Sequence, residues 1–183
     1  LTRLRKSLGS AKEVIAANAQ QIELVAEHVE TDVAKFEGLV SRSDIVSLEA
    51  AAELLNGGFA RGFHVNEGPF EEWITTERRR ITELAITALG SLPDQYEKLG
   101  EWGKAAMISC KLLAIDPLQE RMHRSLMRAL ANQDRFEPAL QQYKLCRDIL
   151  RKELGIEPCG ETNSLRDEIA SRRQSSLQAP HAP

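Results

Sequence analysis

The side chains of this 183-residue sequence whose types and spacing could do chemistry are mainly cations. Arg121, Arg124 and Arg128 recur at helical spacing. At about 100° per residue they fall within one arc of roughly 60°, with Met122, Leu126, Met127 and Leu130 on the opposite side. A guanidinium is a planar fork of donors that matches a carboxylate, so the stripe could grip an acidic segment of a partner. A solvated helix face paired with acids of the adjacent helix, such as Asp94 or Glu97, accounts for the same spacing and is the commoner reason for a charged stripe. A second basic cluster, Arg3, Arg5 and Lys6, lies with Lys12 in the first twelve residues, which contain no acid and leave all 27 acids to the rest of the chain. Such groups neutralise phosphates and release counterions, so this end is the candidate DNA-contacting face. The same charges also suit the negative end of their own helix.

Nothing in the sequence has the spacing of catalysis. G-x-G-x-x-G, G-x-x-x-x-G-K-[ST], H-E-x-x-H and G-x-S-x-G are all absent, and Gly57-Gly58 reads as a turn rather than a phosphate cradle. Glu71 and Glu72 are adjacent on a helix start and diverge, so they cannot share a proton. His28, His64 and His181 have no metal-ligand spacing, and His123, at the border of an apolar arc, is expected to be packed and hydrogen-bonded. Arg78, Arg79 and Arg80 point about 100° apart and are expected to meet only solvent, whereas Trp73 and Trp102 are expected to anchor core. No catalytic residue, metal or cofactor is expected. The three cysteines contain no C-x-x-C and fit neither a disulfide framework nor a zinc site, so a reducing cytoplasm is the expected compartment. Cys146 should be an inert buried thiol; Cys159, beside Gly160, should be the more exposed and reactive one.

These residues need a scaffold, and the composition says which kind. Ala, Leu and Glu outnumber the β-branched and aromatic residues, a bias toward helix. No run approaches the ~18 apolar residues of a membrane span, and a net charge of -3 is too small to keep the chain unfolded. No signal peptide begins the sequence, and its first residue is Leu rather than Met, so it is expected to derive from a longer protein.

Residues 1–8 read as the last turns of a basic helix, with Gly9 at its end. Two β-prone runs, 14–17 and 21–25, read as a hairpin. A basic helix followed by a hairpin is the C-terminal half of a winged helix. From Thr31 the pattern is helical. Asp32 can cap one helix, a second ends at Asn56-Gly57-Gly58, and Gly68-Pro69 starts a long one that Gly90 and Pro93 should break. Residues 86–119 and 120–153 repeat at the tetratricopeptide period, placing Leu92 on Leu126, Trp102 on Phe136, Ala105 on Ala139 and Leu112 on Cys146. Asp116-Pro117-Leu118-Gln119 should start a helix, Gly155 should end one, with Ile156 as its closing hydrophobic contact, and a final helix should run from about Glu161. The polar residues 171–183 should be disordered, with 175–183 serving as tail or linker.

The ordered segments TDVAKFEGLV, LLNGGFARGF, FEEWITTERRRI, GEWGKAAMISCKLLAIDPLQERMHRSLMRAL and EPALQQYKLCRDILRKELGIEPCGET resemble the bacterial transcriptional activator domain of SARP-type, OmpR-like winged-helix regulators. The resemblance covers about residues 30–170. It implies an all-α, tetratricopeptide-like helical-hairpin array of about seven helices, with a small N-terminal β-hairpin left from a winged helix. Residues 1–28 would be the winged-helix remnant and 29–174 the activator module. The implied function is activation and oligomerisation in a cytoplasmic DNA-binding regulator. Its implied partners are DNA through the complete winged helix, and RNA polymerase or a second copy in a homodimer. No membrane partner is implied. Without the preceding helices, this segment is expected to bind DNA poorly. Two other readings fit: a generic tetratricopeptide-like scaffold for peptides, and a regulatory segment of a larger enzyme whose catalytic domain follows Pro183.

Overall fold

In the computed structural model, residues 2–18, 20–55 and 57–178 are described. They fold as two compact units, one within Leu1–Leu54 and one within Leu55–Pro183.

The first unit opens with α1 (Thr2–Leu8), which passes into a 3₁₀ turn at Gly9, whose φ of +55° is cheap only for glycine. Strands β1 (Ile15–Ala17) and β2 (Ile22–Leu24) pair antiparallel, Ile15 opposite Leu24 and Ala17 opposite Ile22. Asn18 makes the reversal: its Oδ1 accepts from the backbone N–H groups of Gln20 and Gln21, each at 2.8 Å, an Asx turn. The hairpin expected from alternation is therefore present.

Helices α2 (Asp32–Arg42) and α3 (Ile45–Leu54) pack as a helical hairpin on Phe36, Leu48, Ala51 and Ala52. Thr31, not the expected Asp32, is the N-cap of α2, because its Oγ1 accepts from Ala34 N–H at 3.1 Å while Asp32 reaches only the next N–H. Asp44 caps α3 through Ser47 N–H at 2.9 Å, and hydrogen bonds from Ser47 hold its carboxyl below the usual range.

The second unit contains α4 (Gly68–Leu89), α5 (Leu92–Lys98), α6 (Trp102–Ile115), α7 (Glu120–Ala131), α8 (Phe136–Leu154) and α9 (Gly160–Gln178). Counting α2 and α3, eight helices follow the hairpin among the described residues, and the fold is all-α. The break expected near Gly90 and Pro93 separates α4 from α5, with Pro93 in the first turn of α5, where a missing N–H costs nothing.

Helices α5 and α6 form one hairpin, α7 and α8 the next, and α9 packs on both α7 and α8. The repeat is visible in side chains. Trp102 and Phe136 each open the second helix of a hairpin, while Ala105 and Ala139, like Leu112 and Cys146, are fully buried at equivalent places. Alanine there lets helix backbones approach closely. Gly155 closes α8 in the left-handed region, φ +69°, as expected of a C-terminal glycine. Ile156 follows about half exposed, with its N–H donating to the Leu150 carbonyl at 3.5 Å.

Two helix boundaries depart from the sequence reading. The first is the start of α7, at Glu120 rather than just after Asp116. Asp116 instead forms an Asx turn to Leu118 N–H at 3.0 Å and accepts from Gln119 Nε2 at 2.7 Å, while the Pro117 carbonyl is engaged by His123. The second is the end of α9, which runs through residues 171–178, where disorder was expected. Its polar side chains are the docking groups: Arg172 donates to the Ala131 carbonyl at 3.2 Å and lies over the Phe136 ring, and Arg173 pairs with Glu137 at 2.5 Å. Residues 179–183 of the expected tail lie outside the described residues.

The core of the stack is Leu126, Met127, Leu130, Ala131, Ala139, Tyr143 and Ile169. Met127→Ala should therefore cost about 2–5 kcal/mol in urea unfolding. Leu177→Ala, at a side chain 75% exposed, should stay within about 0.5 kcal/mol of the parent in the same measurement.

Candidate functional site

The arginine stripe of α7 lies between α5 and α9, and each member is engaged within the chain. Arg121 meets Asp94 of α5 at 2.5 Å. Arg128 holds Glu97 of α5 with two bonds, Nε to Oε2 at 2.7 Å and Nη2 to Oε1 at 3.3 Å, and Ser125 Oγ donates to the same carboxylate. Arg124 turns toward α9, where it donates to Thr162 Oγ1 at 3.1 Å and Cys159 Sγ at 3.3 Å and pairs with Glu161 at 3.0 Å. Asp94 and Glu97 are thus the acids that meet Arg121 and Arg128. The stripe is graded in exposure, since the Arg124 side chain is 17% exposed, Arg128 34% and Arg121 49%.

Glu120 completes the α7–α9 joint by accepting from Cys159 N–H at 2.8 Å. Burial opposes its charge, but hydrogen bonds from Thr162 and Cys159 and the Arg124 guanidinium outweigh burial and hold its carboxyl below the usual range. Cys159 is exposed, whereas Cys146 is fully buried and its thiol is pushed up to about 12 by burial first. Cys146 is therefore inert near neutral pH.

His123, 2% exposed, is the packed histidine expected at that position. Its Nε2 lies 2.9 Å from the Pro117 carbonyl and its Nδ1 2.6 Å from Gln142 Nε2, which assigns a neutral ring donating to the carbonyl and accepting from the amide. Burial lowers its pKa against the pull of Pro117 and Glu120.

Arg3, Arg5 and Lys6 all lie on α1 and are exposed. Arg5 also donates to the Ile15 carbonyl at 3.1 Å, tying α1 to β1, and the Arg3 carbonyl accepts from Ser7 Oγ.

Two expectations are corrected. Arg78 does not merely meet solvent: its Nε donates to the Phe59 carbonyl at 3.2 Å, and its Nη2 donates to Ala60 and Phe63 carbonyls at 2.8 and 3.1 Å. One guanidinium thereby gathers the loop before α4. Arg79 is exposed and Arg80 pairs with Glu77 at 2.8 Å. Trp73 is no core anchor, being 52% exposed in a row of edge-on and tilted ring contacts with Phe59, Phe70 and Phe63. No motif marks Arg78, because its acceptors are backbone carbonyls that every residue carries; the recurrence of Phe and Gly in residues 57–63 was the available hint of a folded loop.

Among the described residues no group of three His, Cys, Asp or Glu could hold a metal, and no helix is long and apolar enough to cross a membrane. Stacked helical hairpins whose charged side chains are matched to one another define a tetratricopeptide-like helical array. The bacterial transcriptional activator domain model matches residues 22–170, and the chain belongs to that family. Among solved structures, the chain is similar to Mycobacterium tuberculosis EmbR in complex with a low-affinity phosphopeptide, with 21% identity and a TM-score of 0.49. The match covers 94% of this chain and 48% of that one, so the chain spans about half the length of the matched structure. No curated protein matches the chain.

Two predictions follow from the α5–α7–α9 joint and its histidine. Arg128→Ala leaves Glu97 largely buried without its cation and should destabilise by about 1–3 kcal/mol; the double variant Arg128→Met/Glu97→Gln should recover part of that loss in urea unfolding. For His123, the unfolded chain takes up a proton near its ordinary pKa of 6.5 while the folded chain resists protonation to lower pH. Stability should therefore fall as pH drops below about 6.5, and His123→Gln should flatten that part of the stability–pH curve.

Proposed function

We propose that this chain is the activator and oligomerisation segment of a cytoplasmic bacterial DNA-binding transcription regulator and acts through protein–protein contacts. The observation that carries this reading is the match to the activator-domain family across residues 22–170. The scaffold supports it, because stacked hairpins work by presenting surface.

Residues 1–28 are, in this reading, the end of a winged helix, with α1 and the β1–β2 hairpin in the order of a recognition helix and its wing. Arg3, Arg5 and Lys6 then contact DNA once the rest of that domain is attached. Residues 29–174 are the activator module, and its partner is RNA polymerase or a second copy. Within the stripe, Arg121 is the residue that an acidic partner segment reaches first, because it is half exposed and, among the described residues, tied only to Asp94. Arg124 and Arg128 join the contact if a partner competes for their internal acids.

Light scattering coupled to size-exclusion chromatography over a wide concentration range tests the self-association half of this reading. The expected result is a dimer that weakens in Arg121→Glu without loss of helical circular dichroism. A monomer at every concentration would remove self-association from this segment and leave a foreign protein as its partner.

A further inference from the structure

A cleft of about 340 Å³ opens beside the loop that Arg78 gathers, where residues of α4 and α6 meet residues 58–64. That volume is at the small end of the range of about 300–1,000 Å³ typical of ligand sites. Its polar lining is Arg61, His64, Arg78 and Thr82, and Ala114 and Ile115 of α6 supply an apolar wall. No Asp or Glu is among its lining residues. Beside it, Glu71 accepts from Val65 N–H at 2.9 Å and lies 3.5 Å from His64 Nδ1.

The two guanidinium groups differ in a useful way. Arg78 is held by three loop carbonyls through Nε and Nη2, and its Nη1 has no protein partner among the described residues. It is therefore a fixed donor that loses little freedom when something binds. Arg61 is exposed and has no protein partner among the described residues. Its side chain lies over Gly57, where a Cβ would meet Arg61 Nη1 at 3.5 Å, an ordinary contact distance. A cation held by the loop, an exposed cation and a hydroxyl-bearing residue thus line a space with one apolar wall.

We propose that this cleft binds a small organic oxyanion, a phosphate monoester or carboxylate carried on a compact apolar body. The head group takes Arg61 Nη groups, Arg78 Nη1 and the Thr82 hydroxyl, and the body lies against Ala114 and Ile115. Guanidinium groups suit this because their forked donors satisfy two oxygens at once. The site is separate from the α7 stripe and gives the helical stack a place for an effector.

The test is calorimetric titration of the whole chain with phenyl phosphate, benzoate and inorganic phosphate at constant ionic strength. Tryptophan emission provides a second readout, because Phe59, which lines the cleft, packs edge-on against Trp73 at 6.4 Å. Saturable binding of phenyl phosphate or benzoate, at least tenfold tighter than inorganic phosphate, is expected; the tighter of the two names the head group. Arg61→Gln should weaken that binding at least tenfold with unchanged circular dichroism and melting temperature, and Thr82→Val should weaken it severalfold. Absence of saturation by all three probes would overturn the proposal, as would equal affinity for inorganic phosphate and phenyl phosphate, or wild-type binding by Arg61→Gln.

Discussion

A helix with neighbours on both sides can leave only part of its charged stripe to water. Helix α7 is in that position, with Met122, His123, Ser125, Leu126, Met127, Ala129, Leu130 and Ala131 all buried. Its arginines must therefore find partners on the flanking helices or lose hydration without compensation. Asp94 and Glu97 on α5, and Thr162 and Glu161 on α9, provide those partners. The apolar side of α7 sets how closely the hairpins stack, and the charged side sets which helices it can stack between. The register of α5 against α7 depends on this matching, because Glu97 is bonded by Arg128 and Ser125 together.

Much of the fold was legible in the sequence, and less of the candidate site. Apolar periodicity and the 34-residue repeat located the hairpins, because Ala105 and Ala139, or Leu112 and Cys146, must be small or apolar wherever helices cross. The hairpin turn and the glycine ends were also legible, since Asn18, Gly9 and Gly155 have backbone reasons to be there. His123 and Cys146 were read correctly as core residues from their place on an apolar face.

What escaped was set by groups that sequence patterns do not distinguish. Arg78 binds carbonyls, which have no residue signature. Trp73 looked like core because large aromatics usually are, yet its stacking partners lie on the same half-exposed loop and helix start. The start of α7 moved because Asp116, Gln119 and His123 compete for the same turn, and three local hydrogen bonds outweigh one more helical turn. The last turns of α9 read as disordered because their composition is polar; long-range pairing of Arg172 and Arg173 is invisible in a window of ten residues.

The way α9 is held has a consequence for how the array behaves as an object. This helix buries Thr162 and Ile169, packs Leu165 against the core and takes a hydrogen bond from Tyr143 Oη to Asn163 Oδ1 at 2.7 Å, while arginines pair it with carboxylates, a carbonyl and rings. Apolar burial is not weakened by charge screening, whereas paired charges at a surface are screened within about 8 Å at physiological ionic strength. Helix α9 is thus fastened by two kinds of force, and only one of them answers to salt: screening weakens its arginine pairs while Leu165 and Ile169 keep it on the hairpins beneath.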